Sequence, residues 1–309
     1  MSEEALVAVE LRKQYTTRGS PPIDALRGVS LRIAKGERVA LLGRNGAGKT
    51  TFLRIASTLL VPSSGSVHVF GHDAIADPDS VRPLLAVVPQ EGKPFFHLTP
   101  REQVYSYLRA RGFARESARA QSESALEQMG LLEVADRLSI TLSGGQRQRT
   151  MVATVIATEA PIMFLDEPTI GMDPFARREV WASLRRLTQR GSTILLTTHY
   201  LDEAENLAQR LSIIERGRVL VEGSGEELKR RAGGTLRVSI VGGARLGPEL
   251  ESFGTVVPDG EAVHVITSPE QVQELLGLTL RAKLPTTVGP VTLEEAFLRV
   301  VGRSIDSEG

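Results

Sequence analysis

Gly43-Arg44-Asn45-Gly46-Ala47-Gly48-Lys49-Thr50 packs glycines, a lysine and a hydroxyl into one short stretch. It fits G-x-x-x-x-G-K-[ST], a pattern that wraps backbone N–H groups around phosphate oxygens. Glycines at 43, 46 and 48 let the backbone turn with positive φ, Lys49 brings a point charge, and Thr50 brings a hydroxyl suited to Mg2+. An apolar strand from Val39 to Leu42 precedes the stretch, and a helix with Phe52, Leu53, Ala56, Leu59 and Leu60 on one face follows it. A Gly-rich turn before an ordinary helix is the plainer reading, and the complete motif in strand–loop–helix context argues against it. Leu142-Ser143-Gly144-Gly145-Gln146 opens another helix-like run, where free amides and the helix dipole favour a second anion. Two such starts suggest one nucleotide held from two sides.

Ile162-Met163-Phe164-Leu165 reads as a fully buried strand, and it ends in Asp166-Glu167. One carboxylate can hold Mg2+ through a water while its neighbour deprotonates an attacking water, as phosphoryl transfer requires. By itself the pair serves equally as a solvated strand end. Its place after the phosphate loop and the Ser-Gly-Gly segment favours chemistry.

From about Val7 to Glu227 these residues resemble the ATP-binding-cassette (ABC) ATPases. Gly43 to Thr50 is similar to the Walker A loop, Gln90 to the Q-loop glutamine, Leu142 to Gln146 to the signature motif, and Ile162 to Glu167 to Walker B. Asp173 matches the D-loop aspartate. His199, closing the strand-like Ser192 to Thr198, matches the switch histidine. Alone, Gln90 reads as a loop amide and His199 as a strand-end histidine; six motifs in the family's order favour the other reading.

The resemblance implies ATP and Mg2+. Gly43, Asn45, Gly46, Gly48, Lys49, Thr50 and Thr51 would hold the phosphates, and Thr50, Gln90 and Asp166 the metal. Glu167 would be the catalytic base, Gln90 would sense metal and water, and His199 would contact the γ-phosphate. Ser143, Gly145, Gln146 and Asp173 would complete the site across a head-to-tail dimer, either a homodimer or a heterodimer with a related ATPase. The family stacks adenine on an aromatic ring, and Tyr15 occupies that place. A packed edge-strand tyrosine is the other reading.

The elements that must position these residues follow from the punctuation. Runs rich in Val, Ile and Leu at Val39 to Leu42, Leu84 to Val88, Ile162 to Leu165, Thr193 to Thr197 and Leu211 to Ile214 alternate with helical patterns. This predicts an α/β fold, a P-loop NTPase with a mostly parallel sheet. Between Gln90 and Ser143 the pattern is helical only: Thr99-Pro100-Arg101-Glu102 is a capping box, and a helix is expected from Ser117 to Met129. The expected domains are residues 1–230, with a helical subdomain over about 91–160, and a small C-terminal α+β domain over 234–303. The latter begins near Gly233-Gly234 with a strand through Leu236, Val238 and Ile240. Pro258-Asp259-Gly260 is expected as a turn before Val263 to Ile266, and Ser268 to Gln271 as a helix cap. Thr292-Leu293-Glu294-Glu295 should cap a last helix carrying Ala296, Phe297, Val300 and Val301. A unit of this size has a marginal core alone, so a packing neighbour or dimerisation is expected.

Composition narrows the function. Of 309 residues, 37 are basic and 37 acidic, which leaves no electrostatic footprint for DNA or RNA. There is no cysteine, so disulfide and thiol chemistry are excluded. Met1 to Glu10 lacks a basic n-region and no run of 18 apolar residues exists, so neither an export signal nor a membrane span is expected. Leu293-Glu294-Glu295-Ala296-Phe297-Leu298, with Pro174 to Trp181 and Thr198 to Glu205, resembles the daunorubicin-resistance-type exporter ATPases. That subgroup implies an ATPase at the cytoplasmic face of the membrane, driving efflux of a drug, antibiotic or lipid-like molecule through separately encoded integral membrane permease subunits. An importer ATPase is the alternative. A non-transport ABC ATPase is disfavoured by the lack of a coiled-coil insertion or basic face.

Overall fold

Long β-branched and leucine-rich runs at the start of the chain form β1 (Glu4–Tyr15) and β2 (Ile23–Ala34), which pair antiparallel. Next come β3 (Arg38–Leu42) and α1 (Lys49–Ala56), after which β4 (Ser64–Val69) returns to β1 and β5 (His72–Asp73) pairs with β4. The result is a four-stranded antiparallel sheet of order β2-β1-β4-β5. α2 (Pro78–Val81) and β6 (Leu85–Val88) lead to three helices, α3 (Pro100–Ala110), α4 (Arg115–Gln128) and α5 (Gly144–Ile156). Then β7 (Ile162–Asp166), α6 (Pro174–Gln189), β8 (Thr193–Thr198), α7 (Leu201–Leu207), β9 (Arg210–Glu215) and β10 (Arg218–Gly223) complete a second sheet, of order β10-β9-β3-β8-β7-β6. This computed structural model describes residues 3–231, 234, 236–297 and 299. The chain divides into two units, Met1–Val219 and Leu220–Gly309, at a boundary inside β10.

Within the second sheet β6, β7, β8, β3 and β9 run parallel, pairing Val88 with Leu165, Asp166 with Thr197 and Leu42 with Thr198. Parallel strands covered on both faces read as continuous apolar runs, and β7 and β8 are buried along their whole length. One core joins Leu6, Val29 and Ile33 of the antiparallel sheet, Phe52, Leu53 and Ile55 of α1, and Leu41, Phe164 and Leu195 of the parallel sheet. α1 is thereby clamped by both sheets. It is shorter than expected: it ends at Ala56, Thr58 takes a left-handed φ of 63°, and Leu59 is exposed instead of anchoring the helix.

The helical segment is as the sequence suggests. Thr99 and Glu102 form the reciprocal capping box of α3, and Arg101 bonds Asp136 and Glu123. Ser143 and Gln146 form a second box at the start of α5.

The second unit contains α8 (Gly225–Arg231), β11 (Leu236–Val241), β12 (Thr255–Asp259), β13 (Ala262–Thr267), α9 (Pro269–Arg281) and β14 (Thr286–Pro290), with strand order β12-β13-β11-β14. Val238, Ile240, Val263 and Val265 meet Leu250 and Leu275 in its core. The hairpin turns at Gly260-Glu261, one step later than expected. Pro258 and Asp259 stay in β12, an edge strand, where a missing N–H is tolerated. Ser268 stands at the N-cap of α9 without a side-chain bond to its amides. Thr292 and Glu295 cap each other as expected and residues 293–297 are helical. Gly233, Leu298, Val300 and Val301 lie outside the described residues.

Candidate active site

Most of the residues expected to act on the phosphates arise at the carboxyl ends of neighbouring parallel strands, where open α/β sheets bind ligands. The phosphate loop follows β3, Gln90 follows β6, Asp166 and Glu167 end β7, and His199 follows β8. A cleft of about 290 Å3 lies against Tyr15, Asn45, Lys49, Thr51, Gln90 and Glu167, and its wall also includes Gly46, Gly48 and Thr50. Ile23 and Ala25 of β2 line it as well, residues that sequence reading passed over because nothing in their type suggests ligand contact.

Gly46 and Gly48 take left-handed φ angles of 84° and 109°. Gly48 is also the N-cap of α1, so the first amides of that helix face the loop. The expectation of positive φ fails at Gly43. Glycine is required there because a Cβ would lie 2.2 Å from the Ile214 carbonyl oxygen. Lys49 is buried, and its Nζ donates to the carbonyls of Gly43 (2.7 Å) and Arg44 (3.1 Å). Burial lowers its ammonium below the ordinary lysine value, and Glu167, Asp166 and Glu215 partly oppose this.

Asp166 and Glu167 are almost wholly buried, at 1% and 5% exposure, which rules out a solvated strand end. Thr50 Oγ1 lies 3.2 Å from both Gln90 Oε1 and Asp166 Oδ1. Asp166 also accepts a short bond from the Thr197 hydroxyl. Burial raises its carboxyl above the usual range, against the hydrogen bonds from Thr197 and Thr50. Thr197 was not singled out from sequence, although it stands opposite Asp166 in the strand register. Its carbonyl and hydroxyl each accept from Glu167 N at 3.1 Å.

Glu167 adopts a φ of 50°, uncommon for a residue with a side chain and typical of functional sites. Its Oε1 lies 3.1 Å from His199 Nδ1, and the His199 ring packs at 4.2 Å from that of Tyr200. Tyr15 is 37% exposed at the rim, its hydroxyl 3.5 Å from Thr51 Oγ1 and Lys13 Nζ 5.5 Å from its ring centre.

Ser143, Gly145 and Gln146 are not among the described residues lining this cleft. Ser143 is exposed, and its hydroxyl accepts from Gln146 N. Gly145 sits where a Cβ would lie 3.3 Å from the Gly171 carbonyl oxygen, so the start of α5 backs onto the loop before α6. Asp173 caps α6, accepting from Phe175 N (2.9 Å) and Ala176 N (3.0 Å); the Ala176 bond is the main reason its carboxyl lies below the usual range.

A family profile described as ABC transporter matches residues 26–170. The chain is 36% identical over 294 residues to the daunorubicin/doxorubicin resistance ATP-binding protein DrrA of Streptomyces peucetius, covering 91% of this chain and 89% of that protein. It is 37% identical over 287 residues to the Nod factor export ATP-binding protein I of Rhizobium sp. (strain N33), covering 91% and 93%. Among solved structures, the dimeric bacterial ABC transporter cassette MJ0796 is similar with a TM-score of 0.67 at 27% identity, over 71% of this chain and 98% of that one. A post-hydrolysis state of the same cassette, bound to ADP and Pi, gives 0.66.

Proposed function

Because this chain belongs to the ABC transporter ATP-binding proteins and hydrolyses ATP, we propose that it powers export of a drug, antibiotic or lipid-like molecule through separate membrane subunits at the cytoplasmic face of the membrane. The observation that carries the chemistry is the Glu167–His199 pair beside the Thr50–Asp166–Gln90 oxygens. Export draws its support from relatives named for resistance and for Nod factor export, whose likeness runs through both units of the chain.

In this reading the amides at Asn45, Gly46 and Gly48, with Lys49 and Thr51, hold the phosphates, and Tyr15 offers its ring to the base. Lys49 exchanges its loop carbonyls for phosphate oxygens of higher charge density. The Thr50, Gln90 and Asp166 oxygens, with one carboxylate among them, form a hard donor set that fits Mg2+, which takes few protein ligands beside substrate phosphates. When bound, the ion neutralises charge on the phosphates. Glu167 accepts a proton from water as the water oxygen bonds to the γ-phosphorus; the bond from that phosphorus to the β–γ bridging oxygen breaks, and ADP leaves. His199, held by Glu167, donates to the γ-phosphate. Ser143, Gly145 and Gln146 present their helix start to the nucleotide of a second copy, and Asp173 shapes the loop beside them.

The test of export is reconstitution with the membrane subunit into vesicles. Accumulation in inside-out vesicles that requires ATP and is lost in Lys49→Ala is expected; uptake only into right-side-out vesicles would make the chain an importer subunit.

A further inference from the structure

Behind the reactive strand ends lies a polar cluster that the hydrolysis scheme does not use. Glu203 of α7 is fully buried, with 0% exposure. Its Oε1 accepts from Thr169 Oγ1 at 2.8 Å and from Trp181 Nε1 at 3.2 Å, and the hydroxyl of Thr198, the residue before His199, also favours the carboxylate. The nearby cation is Arg177, which lies over the Tyr200 ring at 4.2 Å and 3.9 Å from Asp202. Burial pushes the Glu203 carboxyl above the usual range, and its hydrogen bonds and Arg177 only partly oppose this. A carboxyl in such a place is costly, and apolar residues of similar volume commonly serve a core as well or better. Stability alone therefore gives a poor account of it.

Its partners belong to segments that matter to the reaction. Thr169 stands two residues after Glu167, in the loop that runs to Asp173. Trp181 is on α6, the helix Asp173 caps. Glu203 itself is on the helix four residues past His199. The other side of the loop is held from α5, where Gln148 Nε2 donates to the Pro168 carbonyl at 3.2 Å.

We propose that Glu203 is a positioning residue for ATP hydrolysis: by holding Thr169 and Trp181 on one oxygen, it fixes the loop after Glu167 against the segment that carries His199. It touches neither nucleotide nor water and acts through the Glu167–His199 geometry. The inference rests on the ATPase reading of the site.

The test compares Glu203→Met, which keeps volume and removes the acceptor, with Glu203→Gln, which keeps the acceptor. Wild-type hydrolysis is measured first, since its absence would count against the ATPase reading itself. Given an active wild type, Glu203→Met is expected to lower kcat at least about tenfold with KM for ATP within about twofold, and Glu203→Gln to recover most of the rate. Trp181 is the only tryptophan, so its emission reports the bond directly: it should shift in Glu203→Met and stay near wild type in Glu203→Gln. A folded Glu203→Met protein with wild-type kcat, or a Glu203→Gln protein as slow as Glu203→Met, would overturn the proposal. If Glu203→Met does not fold, Thr169→Val removes one donor without disturbing Trp181. There a several-fold fall in kcat at unchanged KM supports the proposal, and an unchanged kcat overturns it.

Discussion

Glu167 combines a left-handed backbone, near-complete burial and a 3.1 Å contact with His199. Glu167→Gln keeps shape and hydrogen bonding and loses the carboxylate proposed as the base. Turnover should then fall roughly 10²–10⁴-fold, equivalent to about 3–5 kcal/mol of barrier, while ATP binding persists. Phosphate release and nucleotide binding measured on one preparation check this, and unchanged steady-state hydrolysis would remove Glu167 from the role. Asp173 yields a pH prediction. Its carboxyl lies below the usual range because Ala176 N–H and Phe175 N–H donate to it, so its stabilising effect is present above the unfolded value of about 3.9 and is lost as pH falls through the lower folded value. Asp173→Ala should lower the melting temperature by about 2 °C near neutral pH, with the gap closing in acid. A gap independent of pH would argue that something other than the carboxylate cap is lost. At this scale the sequence pointed to residues of distinctive chemistry, such as Lys49 and Asp166, that the structure brings to one group of strand ends. It was silent where the reason is a close approach: Gly43 is glycine because of Ile214, a residue on another strand.

Among elements, the stretch between Gln90 and α3 carries a testable choice. Phe95 and Phe96 are 62% and 49% exposed, and Ile140, whose amide bonds the Phe96 carbonyl, is exposed as well. Side chains this open contribute little to sealing a core, which favours their docking a helix of the membrane subunit. Replacing both with Ser should leave folding and basal hydrolysis nearly intact and lower co-purification with that subunit several-fold. A clear fall in thermal stability with normal partner binding would sink the docking reading. The capping box at Thr99, the helix start at Ser143 and the buried strand β7 were readable because short-range chemistry fixes them. The antiparallel pairing of β4 onto β1 and of β5 onto β4, and the 3-10 turns of Gly243–Phe253, were not. Those depend on partners distant along the chain, or on irregular backbone around Gly247 and Pro248 that has no periodic signature.

For the molecule as a whole, the decisive question is whether one nucleotide needs two copies. Ser143→Arg places bulk and charge on the start of α5 and should block hydrolysis without abolishing nucleotide binding at Lys49. Lys49→Ala removes the ammonium proposed to contact the phosphates. Mixed in equal amounts, the two variants pair at random, so about half of the dimers are heterodimers with one intact composite site and one doubly damaged site, and recovery of at most about a quarter of wild-type activity is expected. A mixture no more active than either variant alone would argue against sharing. The overall division into an α/β unit and a smaller α+β unit was legible from alternating patterns, because each unit forms its own core. That Ser143, Gly145 and Gln146 do not line their own chain's cleft has a further consequence, one of dilution. On the proposed reading a lone chain holds ATP from one side, so completing the site is a bimolecular event, and specific activity of the purified protein should rise with its concentration before reaching a plateau. Membrane subunits that tether two copies would replace this with an effective local concentration in the millimolar range. A transporter built so spends little fuel through dilute free subunits and turns over fully once it is assembled.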